Sequence, residues 1–207
     1  VESLREAMRY LRTHALVAHM LAAKGVWATF GAASLFLTLL GIDERFWVRG
    51  SQDLGIATLW TARAFGTGVG PFVARAYTGE SLERLRRSVA WGFVCTLAGY
   101  GLLPFATNPT TAVPLIVFAH IGGAIVWVMS TVVLQLTVDA HVRGRLFAAE
   151  LALVMLMSSL MMLTWGGYMD VFDRSLGEAM WGSAVTLALA WGGWCLWGAR
   201  ARAVCRP

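Results

Sequence analysis

Residues 88–138 read SVAWGFVCTLAGYGLLPFATNPTTAVPLIVFAHIGGAIVWVMSTVVLQLTV and contain no Asp, Glu, Lys or Arg. A helix crosses the hydrocarbon core of a bilayer, about 30 Å thick, in about 20 residues. The stretch is therefore too long for one membrane span. Pro104, the Asn108-Pro109 pair and Pro114 interrupt it, and proline disfavours a continuous helix. We predict two spans joined by a short turn at these prolines.

Apolar segments of span length recur along the rest of the chain. Of the 207 residues, 57% are hydrophobic and 14% are charged, whereas soluble domains carry about 25% charged residues. The pattern predicts an all-α membrane protein with six transmembrane helices, at about 15–41, 54–77, 88–107, 112–137, 146–169 and 178–198. Residues 1–14 then form a cytoplasmic lead-in, 15–199 the transmembrane domain and 200–207 a basic cytoplasmic tail.

The arginines fall mainly on one side of these spans. If the N-terminal side is the inside, twelve arginines lie inside and three lie outside: Arg5, Arg9, Arg12, Arg75, Arg84, Arg86, Arg87, Arg143, Arg145, Arg200, Arg202 and Arg206, against Arg45, Arg49 and Arg174. The positive-inside rule then places both termini in the cytoplasm. Because the arginines recur between spans and do not form one patch, we expect no nucleic-acid partner.

Three segments resemble the C-terminal half of a major facilitator superfamily transporter. VESLREAMRYLRTHALVAHML (1–21) looks like the end of the central cytoplasmic loop leading into span seven. ARAFGTGVGPFVAR (62–75) is similar to the family's span-eight segment. VDAHVRGRLFAA (138–149) resembles the loop between spans ten and eleven, most closely in the multidrug and siderophore exporter branch.

The resemblance implies that these six spans are spans seven to twelve of a twelve-span transporter. Such a half is built from 3+3 inverted repeats, and its N-terminal six-helix partner is missing from this chain. The resemblance further implies efflux of a small organic molecule by alternating access, with proton antiport, in the cell (inner) membrane. The lipid bilayer, the missing half, the small-molecule substrate and protons are the partners expected.

Two cations fall inside predicted spans, Lys24 and Arg63, both near mid-depth. A cation there costs at least about 2.5–3.5 kcal/mol on insertion scales and usually faces an interior cavity. Each either contacts an anionic substrate group or a carboxylate of the missing half, or has a structural role by snorkelling or pairing with helix-end carbonyls.

Glu150 lies about five residues inside the fifth predicted span, close to the cytoplasmic face. We expect it to pair with an arginine of an inside loop, such as Arg145 or Arg75, rather than to couple proton transfer. A proton-coupling carboxylate is then expected in the missing half.

A polar stripe runs along the fourth span, because His120, Ala124, Trp127, Thr131 and Gln135 share one face of a helix. Two interpretations are open. The stripe lines a substrate cavity, or it makes hydrogen bonds between helices of the bundle.

The candidate gating elements are a small-residue stretch and two inside loops. Gly66 and Gly70 would let a neighbouring helix approach closely, and Pro71 permits a bend. The loops Arg75–Arg87 and Val138–Arg145 either set the topology alone or latch one transport state through acidic groups; the second contributes Arg143, Gly144 and Arg145.

The sequence contains no catalytic or metal-binding motif that would favour an enzyme. It has no HExxH, GxSxG or Walker-type stretch, and its three cysteines lack metal-binding spacing. We therefore expect no enzymatic activity, no cofactor and no metal. The alternative to a transporter half is a non-transporting six-span scaffold, assembly partner or transporter remnant.

Overall fold

The computed structural model describes the backbone of residues 2–204 and the side chains of residues 8–199. Within that range the chain is all-α and has no β-strand. The helices are α1 (Glu2–Thr13), α2 (Ala15–Trp27), α3 (Ala33–Ile42), α4 (Gln52–Thr78), α5 (Leu82–Leu102), α6 (Pro109–Thr137), α7 (Ala140–Phe172) and α8 (Leu176–Val204). Short 3₁₀ turns occupy Ala28–Phe30, Glu44–Phe46 and Leu103–Phe105.

Five segments of the described chain are long and apolar enough to cross a membrane: Ala15–Ile42, Leu82–Phe105, Pro109–Thr137, Ala140–Phe172 and Leu176–Ala199. This is the architecture of a multi-pass all-α membrane protein. The helix α4 has 27 residues but is less apolar than the five, because it carries charges that include Arg63. It corresponds to the segment predicted at 54–77.

Capping residues begin the helices on either side of the uncharged stretch. The Ser81 hydroxyl accepts a hydrogen bond from the Arg84 amide at the start of α5, and Asn108 forms a capping box at the start of α6. Pro109 occupies the first position of α6, where proline is tolerated. The predicted break at Pro114 is wrong, because α6 continues through this proline.

The first predicted span, 15–41, is not one continuous helix. It consists of α2 and α3, separated by the 3₁₀ turn Ala28–Phe30. The Thr29 hydroxyl donates to the Val26 carbonyl at 2.6 Å, a bond from side chain to backbone that competes with the regular helix pattern. Gly31 lies directly against the backbone of Ser158 on α7, where a Cβ atom would clash. The break thus coincides with a close approach between the first span and α7.

Glycines allow α6 to pack closely against α4 and α5. Gly66 and Gly70 of α4 face the main chain of α6 at Val117 and Ile121, with no room for a Cβ atom. Gly122 of α6 makes the equivalent contact with α5. The helix α4 continues past Pro71 to Thr78. These contacts fix the position of the residues on α4 relative to those on α6.

The first and last spanning helices are tied together by two reciprocal hydrogen bonds. The indole Nε1 of Trp194 on α8 donates to the His19 carbonyl at 2.8 Å, and the His19 Nε2 lies 2.9 Å from the Trp194 carbonyl. The two rings stack with centroids 4.0 Å apart. Both residues are buried, so these contacts join α2 to α8 inside the bundle.

The connection between α3 and α4 carries a local ion pair. Arg45 Nη2 lies 2.6 Å from Asp43 Oδ2, and the Arg45 amide also donates to the Asp43 carboxylate. The hydrogen bonds from the Arg45 side chain are the main cause that lowers the pKa of Asp43 below its ordinary value.

The two predicted cytoplasmic segments at the chain ends are largely helical in the described residues. The lead-in corresponds to α1, which ends just before α2 begins at Ala15. The helix α8 continues to Val204, so the predicted tail begins within a helix. Residues 205–207 and the side chains of Arg5, Arg200, Arg202 and Arg206 lie outside the described residues.

Candidate functional site

A cavity of about 390 Å³ lies between the first span and the helices α4, α6 and α7. The residues that line it come from four separate segments of the sequence. Its polar lining comprises Ser34, Arg63, Thr67, His120 and Ser158. Trp27 and Trp127 form part of the apolar lining. Three of the predicted substrate-contacting residues, Arg63, His120 and Trp127, therefore line one cavity.

Arg63 is the charged residue of this lining. It lies near the middle of α4, and its Nη1 donates to the Ser34 hydroxyl at 2.9 Å. Its guanidinium carbon lies 4.8 Å from the centre of the Trp60 ring, a geometry that stabilises a cation. Among the described side chains, no carboxylate lies within 4.0 Å of Arg63. Its charge therefore has no counter-ion in this part of the chain.

His120 has a partner from the neighbouring helix. Its Nε2 lies 2.6 Å from the Tyr100 hydroxyl of α5, and both side chains are buried. The Tyr100 ring packs against Phe30 with centroids 4.2 Å apart. This contact holds the imidazole in place at the cavity wall, whichever nitrogen carries the proton.

Trp27 contributes an aromatic ring to the same wall. Its ring meets Trp127 edge to face, with centroids 6.3 Å apart. Its indole Nε1 is buried and has no hydrogen-bond partner among the described residues. A buried indole N–H normally has an acceptor. The Trp27 ring thus lines the cavity, whereas its N–H is buried against Gly123.

A buried ion pair lies next to the cavity, behind Trp127. Lys24 Nζ on α2 lies 2.8 Å from Glu150 Oε2 on α7, and the two side chains are 6% and 4% exposed. Lys24 also donates to the Thr131 hydroxyl at 2.6 Å and lies 4.9 Å from the centre of the Trp127 ring. The second carboxylate oxygen, Oε1, is buried with no partner among the described residues.

The prediction that Glu150 pairs with Arg145 or Arg75 is wrong, because it pairs with Lys24. The error lies in the predicted start of the span. The helix α7 begins at Ala140, so Glu150 is about 15 Å along it. Lys24 is about 14 Å along α2, which begins at Ala15. The two residues thus reach the same depth, and Lys24 needs no partner from another half.

The polar stripe of α6 divides between two environments. Ala124 joins His120 and Trp127 at the cavity, whereas Thr131 accepts the hydrogen bond from Lys24. Gln135 is exposed and does not line the cavity. The two interpretations of the stripe therefore apply to different residues along it.

The predicted inside loops are mostly helical. Only residues 79–81 separate α4 from α5, and only Val138 and Asp139 separate α6 from α7. Arg75 donates to the Gly79 carbonyl, and Arg143 donates to the Val138 carbonyl at 2.9 Å. Within the described part of the chain these two arginines thus bind main-chain carbonyls at helix ends, and the latch stays a prediction. Gly144 and Arg145 lie exposed in the early turns of α7.

No protein family model matches this chain. No curated protein and no solved structure shows significant similarity to it either. The cavity and the ion pair are therefore the features from which a function can be inferred.

Sequence reasoning missed Trp27, which lines the cavity, and Tyr100, which packs behind the lining residues His120 and Phe30. Signals for both existed. Trp27 is three residues after Lys24 and so shares its helix face. Tyr100 and His120 lie on the two antiparallel spans that the proline-rich turn joins, so a contact between these spans was foreseeable.

Proposed function

We propose that this chain is the C-terminal six-helix half of a secondary transporter of the major facilitator type. In this proposal it exports a small organic molecule in exchange for protons across the cell (inner) membrane, with both termini in the cytoplasm. The observation that carries the proposal is the cavity of about 390 Å³. It lies between the first span, α4, α6 and α7 and combines a cation with aromatic walls. Small-molecule sites have this size and this mixture of apolar walls and few polar groups.

The exposed faces of α4 and α7 support a two-half arrangement. These helices supply part of the cavity wall, yet they carry large exposed side chains such as Phe65, Phe72 and Leu163. A second six-helix unit packed on these faces would complete the wall of the cavity. Rocking of the two units would then expose the site to each side of the membrane in turn.

In this proposal Glu150 carries the coupled proton, in place of the carboxylate of the missing half that the sequence led us to expect. Glu150 is the buried carboxylate among the described side chains, and it lies one helical turn before Val154, which lines the cavity. Protonation of Glu150 would end its attraction to Lys24. Trp127, which contacts both the cavity and Lys24, would communicate that change to a bound substrate.

The test is flux in proteoliposomes that contain the full-length protein and carry a pH gradient. A panel of labelled organic molecules is screened, and then Arg63→Gln and Lys24→Met are compared with Arg174→Gln, an exposed arginine far from the cavity. We expect gradient-driven flux that both cavity variants reduce at least about tenfold and the control does not change. Absence of flux for the whole panel, or normal flux in both variants, contradicts the proposal.

A non-transporting scaffold is the second candidate, and the ion pair favours it. Because Glu150 neutralises Lys24 within the chain, that charge does not require another half. A scaffold predicts no flux, together with a stoichiometric protein partner that copurifies with the chain and dissociates when the exposed face of α7 is mutated.

A further inference from the structure

We infer that the cavity binds an organic anion with a planar apolar body, whose carboxylate or equivalent acidic group contacts Arg63. The inference rests on the proposed function, because it names the substrate class of that same cavity.

The charge of the cavity lining is the first step. Arg63 is the charged residue among the side chains that line it, and the remaining polar ones are neutral hydroxyl, imidazole and indole groups. A guanidinium has five N–H donors, and Ser34 accepts from one of them. Four donors and a full positive charge thus remain for an occupant. In a bilayer interior such a cation is costly without a counter-charge, so an anion is the occupant that lowers this cost.

The nearby carboxylate does not supply the counter-charge. Glu150 is held by Lys24 at 2.8 Å, and Trp127 lies between that pair and the cavity. Because the Lys24–Glu150 pair has no net charge, Arg63 supplies the net charge that this chain brings to the cavity. A cationic ligand would be repelled there, and a neutral ligand would leave Arg63 uncompensated.

The walls specify the body of the ligand. Trp27, Phe30 and Trp127 present aromatic surface, and Met155 and Met162 present flexible thioethers. Aromatic and thioether groups pack well against a planar ring.

Binding of three matched probes tests the inference in the full-length protein, held in nanodiscs of zwitterionic lipid. The probes are 1-naphthoate, the neutral 1-naphthamide and the cationic 1-naphthylmethylamine, which share one ring system. We expect naphthoate to bind at least about tenfold more tightly than the amide, because its carboxylate makes a charge-assisted hydrogen bond. Arg63→Gln should abolish that preference, whereas Arg63→Lys should keep part of it and Arg174→Gln all of it. Trp27→Phe should weaken all three probes through the lost ring contact.

A measurement on the unmutated protein covers the case in which Arg63→Gln does not fold. Naphthoate should slow the modification of Arg63 by phenylglyoxal, read by mass spectrometry, and naphthamide should not. Equal binding of acid and amide, a preference for the amine, no binding of any probe, or an acid preference that survives Arg63→Gln would overturn the inference.

The outcome separates this inference from the transport proposal. Tight, Arg63-dependent binding of naphthoate without any flux in proteoliposomes would leave the anion site standing and reject transport. Gradient-driven flux of neutral or cationic molecules, with no preference for acids, would support transport and reject the anion site.

Discussion

Removing the lysine of the buried pair in a Lys24→Met variant leaves the Glu150 carboxylate among apolar side chains with no counter-charge. Glu150→Met leaves the ammonium in the same state, although Thr131 still accepts one of its hydrogen bonds. In the double variant Lys24→Met/Glu150→Met both charges are gone, and two apolar side chains of similar length occupy their space.

The magnitude follows from the geometry. Two unit charges 2.8 Å apart attract by about 6 kcal/mol at an effective dielectric constant of about 20. The cost of burying both ions offsets much of this in the intact pair, so the pair itself contributes little net stability. Each single variant should therefore lose about 3–5 kcal/mol of unfolding free energy, and the double variant should return to within about 1 kcal/mol of the parent.

The assay is reversible unfolding by SDS in mixed micelles, followed by tryptophan fluorescence, for all four members of the double-mutant cycle. A matched control is the pair formed by Glu83 and Arg87 one helical turn apart, whose side chains are 70% and 63% exposed. Its coupling should be only about 0.3–0.5 kcal/mol, because water screens the charges.

The reasoning fails if the Lys24 and Glu150 effects add, with a coupling under about 1 kcal/mol. Additive losses would mean that the two side chains do not interact in the folded protein. A coupling as small as that of the exposed control pair would place the two charges in water rather than within the bundle.

Three smaller perturbations test other contacts with the same unfolding assay. Gly66→Ala should lower the unfolding free energy by about 1–3 kcal/mol, because its Cβ would meet the main chain of α6. Gly68→Ala, with open space around its Cβ, should leave stability unchanged or raise it by up to about 1 kcal/mol, and equal effects at the two glycines would contradict the close approach. Thr131→Val should lose about 1.5–3 kcal/mol, since it removes an acceptor from a buried ammonium; parental stability would speak against that hydrogen bond. Arg45 lowers the pKa of Asp43. The stability that this ion pair contributes is therefore present above the ordinary carboxyl pKa and is lost as the pH falls through the lowered value. Acidification from about pH 6 to about pH 3 should therefore lower the melting temperature more in the parent than in Asp43→Asn, and equal decreases would refute the pairing.

Much of the architecture follows from composition and local signals. The ends of helices α5 to α8 lie at most six residues from the ends of the segments predicted from hydropathy, because apolar length alone indicates a span. The Gly66 and Gly70 spacing predicted a close helix contact, and both glycines do face the main chain of α6. Local chemistry at Ser81 and Asn108 marks helix starts directly.

The ion pair could not be predicted by the same means. Hydropathy places the start of a span where charged residues end. Because Arg143 and Arg145 are charged, the predicted span begins at 146 and omits residues 140–145, the first turn and a half of α7. Asp139, a residue type that favours a helix N-cap position, was the signal for the earlier start. Because the start at Asp139 was not recognised, Glu150 was predicted to lie too near the cytoplasmic face to contact Lys24. The break between α2 and α3 was also missed; it coincides with the close approach of Gly31 to Ser158, a residue far along the chain.

The pairing of Lys24 with Glu150 also has a consequence for biogenesis. The two residues are separated by 126 positions in the chain. At about 5–20 residues per second of synthesis, the lysine waits about 6–25 s before its carboxylate is made. During that time the first span, Ala15–Ile42 with a mean hydropathy of 1.7, carries a buried cation with no partner. Its apolar residues must hold it in the bilayer alone until α7 leaves the ribosome and enters the membrane.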